Sequence, residues 1–115
     1  MPHEDGPVFE PLVVTLSLGS YTLLDLYPRE DTQRAHPAFS LLLEPGSLLI
    51  LSETVYLEYL HGIAPSTQDI VPTSQIINLL TEEDHLVRTR TQTRISLTFR
   101  CHKNVVNLNK ILGIK

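Results

Sequence analysis

The sequence of 115 residues lacks several features on which whole classes of protein depend. It has one cysteine, Cys101, which excludes an internal disulfide framework and favours a reducing compartment. Its longest apolar runs, such as residues 48–51, are far shorter than the roughly 20 residues that a membrane-spanning helix needs. Residues 1–5 show neither the basic start nor the apolar segment of a signal peptide. We therefore expect a soluble intracellular domain.

Common catalytic motifs are missing as well. The five glycines are scattered, so the sequence contains no phosphate-cradling glycine loop. Ser20 and Ser47 each follow a glycine, but neither lies in a Gly-x-Ser-x-Gly elbow. Cys101 is adjacent to His102 in the chain, which does not by itself make a thiolate–imidazole pair, and we expect Cys101 to be a small packed residue.

Acidic residues are absent from the C-terminal part of the chain. All 13 acids lie in residues 1–84, where only Arg29 and Arg34 oppose them, whereas residues 85–115 carry seven basic residues and no acid. The net charge of −4 argues against a protein that is basic all round. The basic C-terminal part could still present the clustered charge that polyanion binding needs. Alternatively, the acidic and basic parts neutralise each other in the fold, and both interpretations stay open.

What the chain does contain is a series of short apolar segments separated by turn residues. In residues 12–18 the apolar side chains alternate, and we expect the face that they share to contact the core: Leu12, Val14, Leu16 and Leu18. The same pattern predicts further strands at 21–27, 39–43, 48–52, 53–63 and 94–100. About six short strands joined by turns indicate an all-β fold, a sandwich or a barrel-like pair of sheets.

Three segments are less regular. The stretch 53–63 fits either a helix or a strand, and its alternating apolar residues favour a strand after a bend. Residues 64–92 are polar and contain two prolines, so we expect a polar loop insertion with one or two helical turns at 74–80. A connection of this length in a small domain is usually functional or disordered. The tail, 104–115, fits a short helix or a final strand.

Two histidines and one aspartate are candidate metal ligands. His3 and Asp5 are two residues apart, so in extended backbone their side chains project to the same side and can reach one ion. His61 follows residues 53–60 of the predicted strand and precedes Gly62. Two histidines and one carboxylate form the facial triad of non-haem Fe(II) sites. Each signal is weak alone, because a single histidine is more often a buried or turn residue with a satisfied hydrogen bond.

The late strand carries a second constellation. Arg94 and Arg100 lie six residues apart on one face of an alternating strand, with Ser96 and Thr98 between them. Guanidinium groups bind carboxylates through two parallel hydrogen bonds, so a pair on one face can hold the two ends of a dicarboxylate. Alternatively, this is a solvated strand face whose arginines pair with the acidic part of the chain.

In combination, these residues resemble the AlkB-like Fe(II)/2-oxoglutarate dioxygenases. The resemblance lies in three elements that follow one another along the chain: His3-x-Asp5, His61 and Arg94-x-Ser96-x-Thr98-x-Arg100. Residues 16–20 and 24–26 also resemble the stretch that follows the metal motif in this family. Residues 3–7 and 41–45 are most similar to the AlkB homologue six branch. The resemblance covers nearly the whole chain except 64–92.

The resemblance implies a fold, an activity and a role for each site residue. The fold is a double-stranded β-helix, or jelly roll, and the activity is oxidation of a C–H bond with release of succinate and CO₂. Three residues would bind Fe(II): His3, Asp5 and His61. Arg94 would pair with the distal carboxylate of the co-substrate 2-oxoglutarate, and Arg100 would lie nearer the metal. Ser96 stands where family members more often have asparagine, so its polar contact to the co-substrate would be shorter.

The metal motif begins at residue 3, whereas family members carry a sizeable portion before it. We therefore expect residues 1–115 to be one partial, N-terminally truncated domain. It would be a jelly-roll remnant of about six strands that lacks the first strands of the family fold. Unpaired strand edges invite aggregation or a partner chain, so we expect the chain alone to fold poorly or to be weakly active.

The resemblance also implies partners and a location. The reactants would be 2-oxoglutarate, O₂ and a nucleic acid or protein substrate that undergoes N-demethylation, without membrane association, in the cytoplasm and nucleus. Two alternatives from other classes stay open. One is a non-catalytic truncated isoform that binds a partner protein through its sheet edges. The other is a metal-binding β module that holds zinc or nickel, because the triad alone does not select iron.

Overall fold

The computed structural model describes residues 2–3, 9–102 and 112–113, which form an almost entirely β structure. The strands in chain order are β1 Phe9–Leu18, β2 Thr22–Pro28, β3 Phe39–Leu43, β4 Leu48–Ser52, β5 Tyr59–Gly62, β6 Gln68–Pro72, β7 His85–Thr89 and β8 Ile95–His102. A short helix, α1 Glu53–Glu58, lies between β4 and β5, and a 3-10 turn spans Thr73–Gln75. No helix in the described part of the chain is long and apolar enough to cross a membrane.

The strands form two three-stranded sheets and one hairpin. The first sheet has the order β4-β1-β8, the second has the order β3-β2-β5, and β6 pairs with β7 alone. Every pair is antiparallel. The chain passes from the first sheet to the second at the β1–β2 turn, returns to the first at β4 and crosses again to β5. This alternation between two packed sheets confirms the predicted all-β, jelly-roll-like architecture.

The core lies between the two sheets. Buried side chains from both sheets and from neighbouring strands form one cluster: Val13, Leu24, Leu43 and Leu51. In the first sheet, β1 pairs with β4 from Leu12–Ser52 to Leu16–Leu48 and with β8 from Val13–Arg100 to Leu18–Ile95. These registers direct Val13 and Ser17 of β1 towards the second sheet, and Ser17 is 0% exposed.

The sequence prediction assigned the wrong face of β1 to the core. Leu12 and Leu18 are exposed and Val14 and Leu16 are half-buried, whereas the intervening Val13 and Ser17 are buried. Because side chains alternate along a strand, a difference of one residue moves the whole apolar set to the other face. The inner face of β1 borders a partly polar pocket, so its residues are less apolar than those outside.

The outer face of the first sheet is consequently apolar, and its side chains on β4 and β8 are exposed among the described residues. Ile95, Leu97 and Phe99 of β8 are 54%, 46% and 60% exposed, and Leu48 and Ile50 of β4 are 60% and 57% exposed. The polar side chains of β8 therefore face the second sheet. Ser96, Thr98 and Arg100 line a pocket on the inner face of the first sheet.

The strand predicted over 53–63 is half correct. Residues 53–58 form α1, and β5 begins at Tyr59. Glu53 has a φ of 49°, which turns the chain out of β4 and into the helix. Val55 and Tyr56 both pack against the core cluster. Consecutive residues point to opposite faces of a strand, so two adjacent core-facing side chains require the helical turn.

The predicted loop at 64–92 contains the β6–β7 hairpin and the 3-10 turn, which raises the described strands from about six to eight. Ile70 and Val87 at the centre of the hairpin are exposed, while Asp69 is 5% exposed. The hairpin is thus held by a buried carboxylate and lacks the apolar pattern that predicts strands. Predictions for the tail at 104–115 lie outside the described residues, except at Leu112 and Gly113.

The orientation of β8 can be tested by comparing two leucines that the structure places differently. Leu24→Ala removes a side chain that is 7% exposed and should lower the free energy of unfolding by about 3 kcal/mol. Leu97→Ala removes a half-exposed side chain on the outer face and should cost no more than about 1 kcal/mol. Urea unfolding of both variants measures the difference, and equal losses would place Leu97 in a core.

Candidate active site

A pocket of about 240 Å³ opens between the inner faces of the two sheets. Its apolar lining comes from the core side of both sheets: Val13, Leu24, Leu43, Leu49, Leu51 and Ile63. Its polar lining contains all the predicted site residues that the structure describes: His3, His61, Arg94, Ser96 and Arg100. Two threonines, Thr15 and Thr98, complete the lining. Residues far apart in the chain thus meet in one cavity.

The two histidines face each other across an isolated antiparallel bridge. The backbone N–H of His3 donates to the carbonyl of His61 at 2.9 Å, and the N–H of His61 donates to the carbonyl of His3 at 3.0 Å. Directly paired residues project their side chains to the same face, and the ring centroids are 4.5 Å apart. Both imidazoles therefore enter the pocket side by side.

The described residues supply part of a metal-binding site. Imidazole nitrogens suit iron, zinc, nickel and copper, and two of them lie together here. The predicted third ligand, Asp5, lies outside the described residues. Among the residues that the structure does describe, no group of three histidine, cysteine or acidic side chains could hold a metal. His3 and His61 are thus two-thirds of the predicted ligand set.

Arg94 enters the pocket directly before β8 begins. Its Nη2 donates to the Oγ of Ser17 at 2.9 Å. Its Nε is buried and has no hydrogen-bond partner among the described residues. Burial lowers the pKa of Arg94, and the positive charge of Arg90 lowers it further. A half-buried guanidinium whose Nε has no acceptor would be stabilised by a carboxylate, which would supply both an acceptor and a negative charge.

The two preceding arginines differ from Arg94 because each already has a carboxylate. Arg90 holds Asp69 through two hydrogen bonds, from Nε to Oδ2 and from Nη2 to Oδ1, both of 2.8 Å. Arg88 pairs with both carboxylate oxygens of Glu44, with Nη2 3.0 Å from Oε2. Among the described residues, the charges of Arg88 and Arg90 are thus neutralised by carboxylates, whereas Arg94 has no carboxylate partner.

The remaining candidates lie on the inner face of β8. Ser96 is opposite Ser17 in the β1–β8 register, and Arg100 is opposite Val13. Between them, the Oγ1 of Thr98 lies 3.4 Å from the Oγ1 of Thr15. Ser96 and Arg100 are both exposed within the open pocket. The spacing Arg94-x-Ser96-x-Thr98-x-Arg100 therefore becomes a polar row along one wall of the cavity.

Sequence reasoning missed a buried network beside the site. Tyr21, at the start of the second sheet, donates its hydroxyl towards Asp69 Oδ2 at 2.7 Å and towards the carbonyl of Arg88 at 2.8 Å. The guanidinium of Arg88 lies 4.0 Å from the centroid of the Tyr21 ring. These contacts attach the β6–β7 hairpin to β2. Nothing in the local pattern pairs Tyr21 with a residue 48 positions away.

Burial raises the pKa of Tyr21 to about 12, and the hydrogen bond to Asp69 and the charge of that carboxylate add to the effect. The two neighbouring arginines act in the opposite direction. The phenol is therefore neutral and a hydrogen-bond donor throughout the ordinary pH range. It holds the hairpin, and it is unsuited to act as a proton acceptor.

Comparison with known proteins agrees with this site. The family model described as the 2OG-Fe(II) oxygenase superfamily matches residues 1–100. The chain belongs to this superfamily of Fe(II)- and 2-oxoglutarate-dependent oxygenases, and within it the chain is AlkB-like.

A curated zebrafish (Danio rerio) protein named "Probable RNA/DNA demethylase ALKBH6" is 36% identical over 124 aligned positions. The alignment covers 100% of this chain and 53% of that relative, so the chain spans about half the relative's length. The expected family, the AlkB-like 2-oxoglutarate oxygenases, is thereby confirmed, and this relative carries the name of the homologue-six branch that residues 3–7 and 41–45 resemble.

The Tyr21 network predicts a loss of stability at alkaline pH. The pKa of Tyr21 is raised from 10.0 to about 12 on folding. The neutral hydroxyl therefore makes its full contribution to the free energy of unfolding below about pH 10, and this contribution disappears as the pH rises through about 12. We expect the stability difference between the wild-type chain and Tyr21→Phe, about 2 kcal/mol at neutral pH, to shrink over this interval. Urea unfolding at a series of pH values measures it.

Tyr59→Phe is the matched control, since Tyr59 is half-buried against Phe39 and outside this network. Because it leaves the hydrogen bond between Tyr21 and Asp69 in place, this variant should lose stability between about pH 10 and about pH 12 as the wild-type chain does. A pH-independent difference for Tyr21→Phe would contradict the raised pKa.

Proposed function

We propose that the chain acts as an AlkB-type dioxygenase that uses Fe(II) and 2-oxoglutarate. The reaction would consume 2-oxoglutarate, O₂ and a substrate C–H bond and give succinate, CO₂ and the hydroxylated substrate. The observation that carries the proposal is the pocket itself. A half-buried arginine, which has a buried Nε and no carboxylate partner among the described residues, shares one cavity of about 240 Å³ with a pair of imidazoles.

In this proposal His3 and His61 bind Fe(II) together with Asp5. Two imidazoles and one carboxylate leave open coordination positions, which both O₂ and the 2-oxo acid require. When bound, Fe(II) would supply the activation of O₂, and oxidative decarboxylation of 2-oxoglutarate would supply the reducing electrons. The protein's part is to fix the two imidazoles, and the mutual hydrogen bonds between the His3 and His61 backbones do so.

Arg94 would bind the distal carboxylate of 2-oxoglutarate through its unsatisfied Nε. The carboxylate would then accept two parallel hydrogen bonds from one guanidinium, which is the arrangement that favours arginine over lysine. The apolar wall that includes Leu24, Leu43 and Leu51 suits the methylene groups between the two ends of the co-substrate. Arg100 would lie nearer the metal, and Ser96 would offer a hydroxyl between the two arginines.

The substrate that we propose is an N-methylated nucleic acid, with a protein as the alternative. Hydroxylation of an N-methyl carbon gives a carbinolamine, which releases formaldehyde and leaves the demethylated nitrogen. Support comes from the zebrafish relative, which is named as a probable RNA/DNA demethylase. The excess of basic residues at 85–115 gives less support for nucleic-acid binding than the sequence indicated. Arg88 is paired with Glu44, and Arg90 is paired with Asp69. A cytoplasmic and nuclear location belongs to the same proposal.

Two successive titrations under anaerobic conditions test the proposal. Fe(II) is added to the full chain, then 2-oxoglutarate, and the visible absorption of the Fe(II)–2-oxo acid chelate is recorded. His61→Ala should lose Fe(II) binding and therefore the absorption. Arg94→Ala should keep Fe(II) binding and bind 2-oxoglutarate about 100-fold more weakly, because a charge-assisted, two-point contact is lost.

His85→Ala is the control for the histidine variant, because His85 is exposed on β7 and does not line the pocket. It should behave like the wild-type chain in both titrations. Metal binding without any effect of 2-oxoglutarate would leave only the metal-binding β module. Unchanged 2-oxoglutarate affinity in Arg94→Ala would contradict the proposed co-substrate site.

A further inference from the structure

The end of β1 contacts Arg94 at two separate points. The Oγ of Ser17 accepts a hydrogen bond of 2.9 Å from Nη2 of Arg94. Two residues later, Gly19 lies against the backbone that leads into Arg94, close to the carbonyl oxygen of Thr93. One contact acts on the guanidinium and the other on the main chain, so the side chain is held at both of its ends.

The Ser17 hydroxyl is a fixed acceptor. Ser17 is 0% exposed, and it is opposite Ser96 in the β1–β8 register. Its N–H donates to the carbonyl of Ser47 at 3.0 Å, and its carbonyl accepts from the N–H of Gly46 at 2.6 Å. The backbone of Ser17 is thus bonded to the β3–β4 turn on one side of β1 while β8 lies on the other. Little freedom remains for its Oγ to move.

A fixed acceptor at Nη2 orients the whole guanidinium, because that group is planar and rigid. With one N–H of Nη2 directed at Ser17, the Nε of Arg94 is left buried and without a partner among the described residues. The direction of the guanidinium is therefore set before a ligand arrives. Preorganised donors bind more tightly because the ordering cost has already been met.

Gly19 controls how closely the β1–β2 turn approaches Arg94. Its φ is 80°, which is a left-handed conformation that favours glycine. A Cβ at this position would lie far inside van der Waals contact with the Thr93 carbonyl oxygen. Any side chain would push the turn and residues 93–94 apart and carry the guanidinium away from Ser17.

We propose that Ser17 and Gly19 are positioning residues that hold Arg94 in the orientation in which it binds the distal carboxylate of a five-carbon 2-oxo diacid. Ser17 sets the direction of the guanidinium and Gly19 sets the position of its backbone. Neither residue belongs to the lining of the pocket. This inference rests on the proposed function, and it assigns a purpose to the Leu-Ser-Leu-Gly-Ser stretch at 16–20.

The test compares two ligands that differ only at the end that Arg94 would bind. One is 2-oxoglutarate, and the other is 2-oxovalerate, which has the same 2-oxo acid end and no distal carboxylate. Their dissociation constants are measured by anaerobic calorimetry on the full chain loaded with Fe(II). We expect Ser17→Ala to bind 2-oxoglutarate about tenfold more weakly and 2-oxovalerate with unchanged affinity, because only the distal contact is affected. Gly19→Ala should show the same selective loss.

Ser40→Ala provides a matched control. Ser40 is also 0% exposed, and its hydroxyl lies 2.5 Å from the carboxylate of Asp25 and accepts from Nε2 of Gln75 at 2.8 Å. Its loss should destabilise the chain to a similar degree and leave the preference for 2-oxoglutarate over 2-oxovalerate intact. If Ser17→Ala does not fold, Ser17→Cys keeps the size of the side chain and replaces the hydroxyl with a weak acceptor. The same selective loss is expected.

The outcomes separate this inference from the function on which it rests. If the wild-type chain shows no preference for 2-oxoglutarate over 2-oxovalerate, or if Arg94→Ala keeps that preference, the proposed co-substrate site is wrong. If the wild-type preference depends on Arg94 but survives in the Ser17 and Gly19 variants, the co-substrate site stands and the positioning role is overturned. Equal weakening of both ligands in Ser17→Ala would also overturn it.

Discussion

The antiparallel pairing of β1 with β8 is the constraint on which the rest of the site depends. It joins segments that lie about 80 residues apart, with Thr15 opposite Thr98 and Ser17 opposite Ser96. Because side chains alternate on a strand, this one register decides that the polar row of β8 faces the second sheet. It also places the hydroxyl of Ser17 beside Arg94. A shift of one residue would turn the row outwards and leave no pocket wall.

The electrostatics follow from this arrangement. Arg88 pairs with Glu44, and Arg90 pairs with Asp69. The side chains of Arg90 and Asp69 are largely buried, and the hydroxyl of Tyr21 donates a hydrogen bond to Asp69. Their pairing attaches the β6–β7 hairpin next to the pocket without contributing an anion to it. Arg94, which lies directly before β8, has a buried Nε without a hydrogen-bond partner among the described residues. The cost of burying such a group is recovered only when an acceptor of opposite charge arrives, which is what a dicarboxylate co-substrate would provide.

Much of this structure was readable from the sequence, and the errors have physical causes. Strands β3 and β4 match their predicted limits because apolar segments end at clear turn residues. The family resemblance carried by the histidine and arginine motifs named six site residues; the five that the structure describes line one pocket, and Asp5 lies outside the described residues. The core face of β1 was predicted the wrong way round because alternation reports a face without saying which side is inside. The hairpin was missed because its buried residue is Asp69, whose burial depends on a partner 21 residues away.

The proposed role of Arg94 is that of a preorganised carboxylate receptor in the pocket that His3 and His61 share. Its most direct test is a crystal structure of the full chain with Fe(II) and 2-oxoglutarate, grown without oxygen. The account predicts a ligand carboxylate oxygen within about 3 Å of Arg94 Nε, with the contact between Nη2 and Ser17 kept and the 2-oxo acid end directed at His61. A structure in which the ligand binds away from Arg94, or in which Arg94 leaves Ser17 to reach it, would contradict the account.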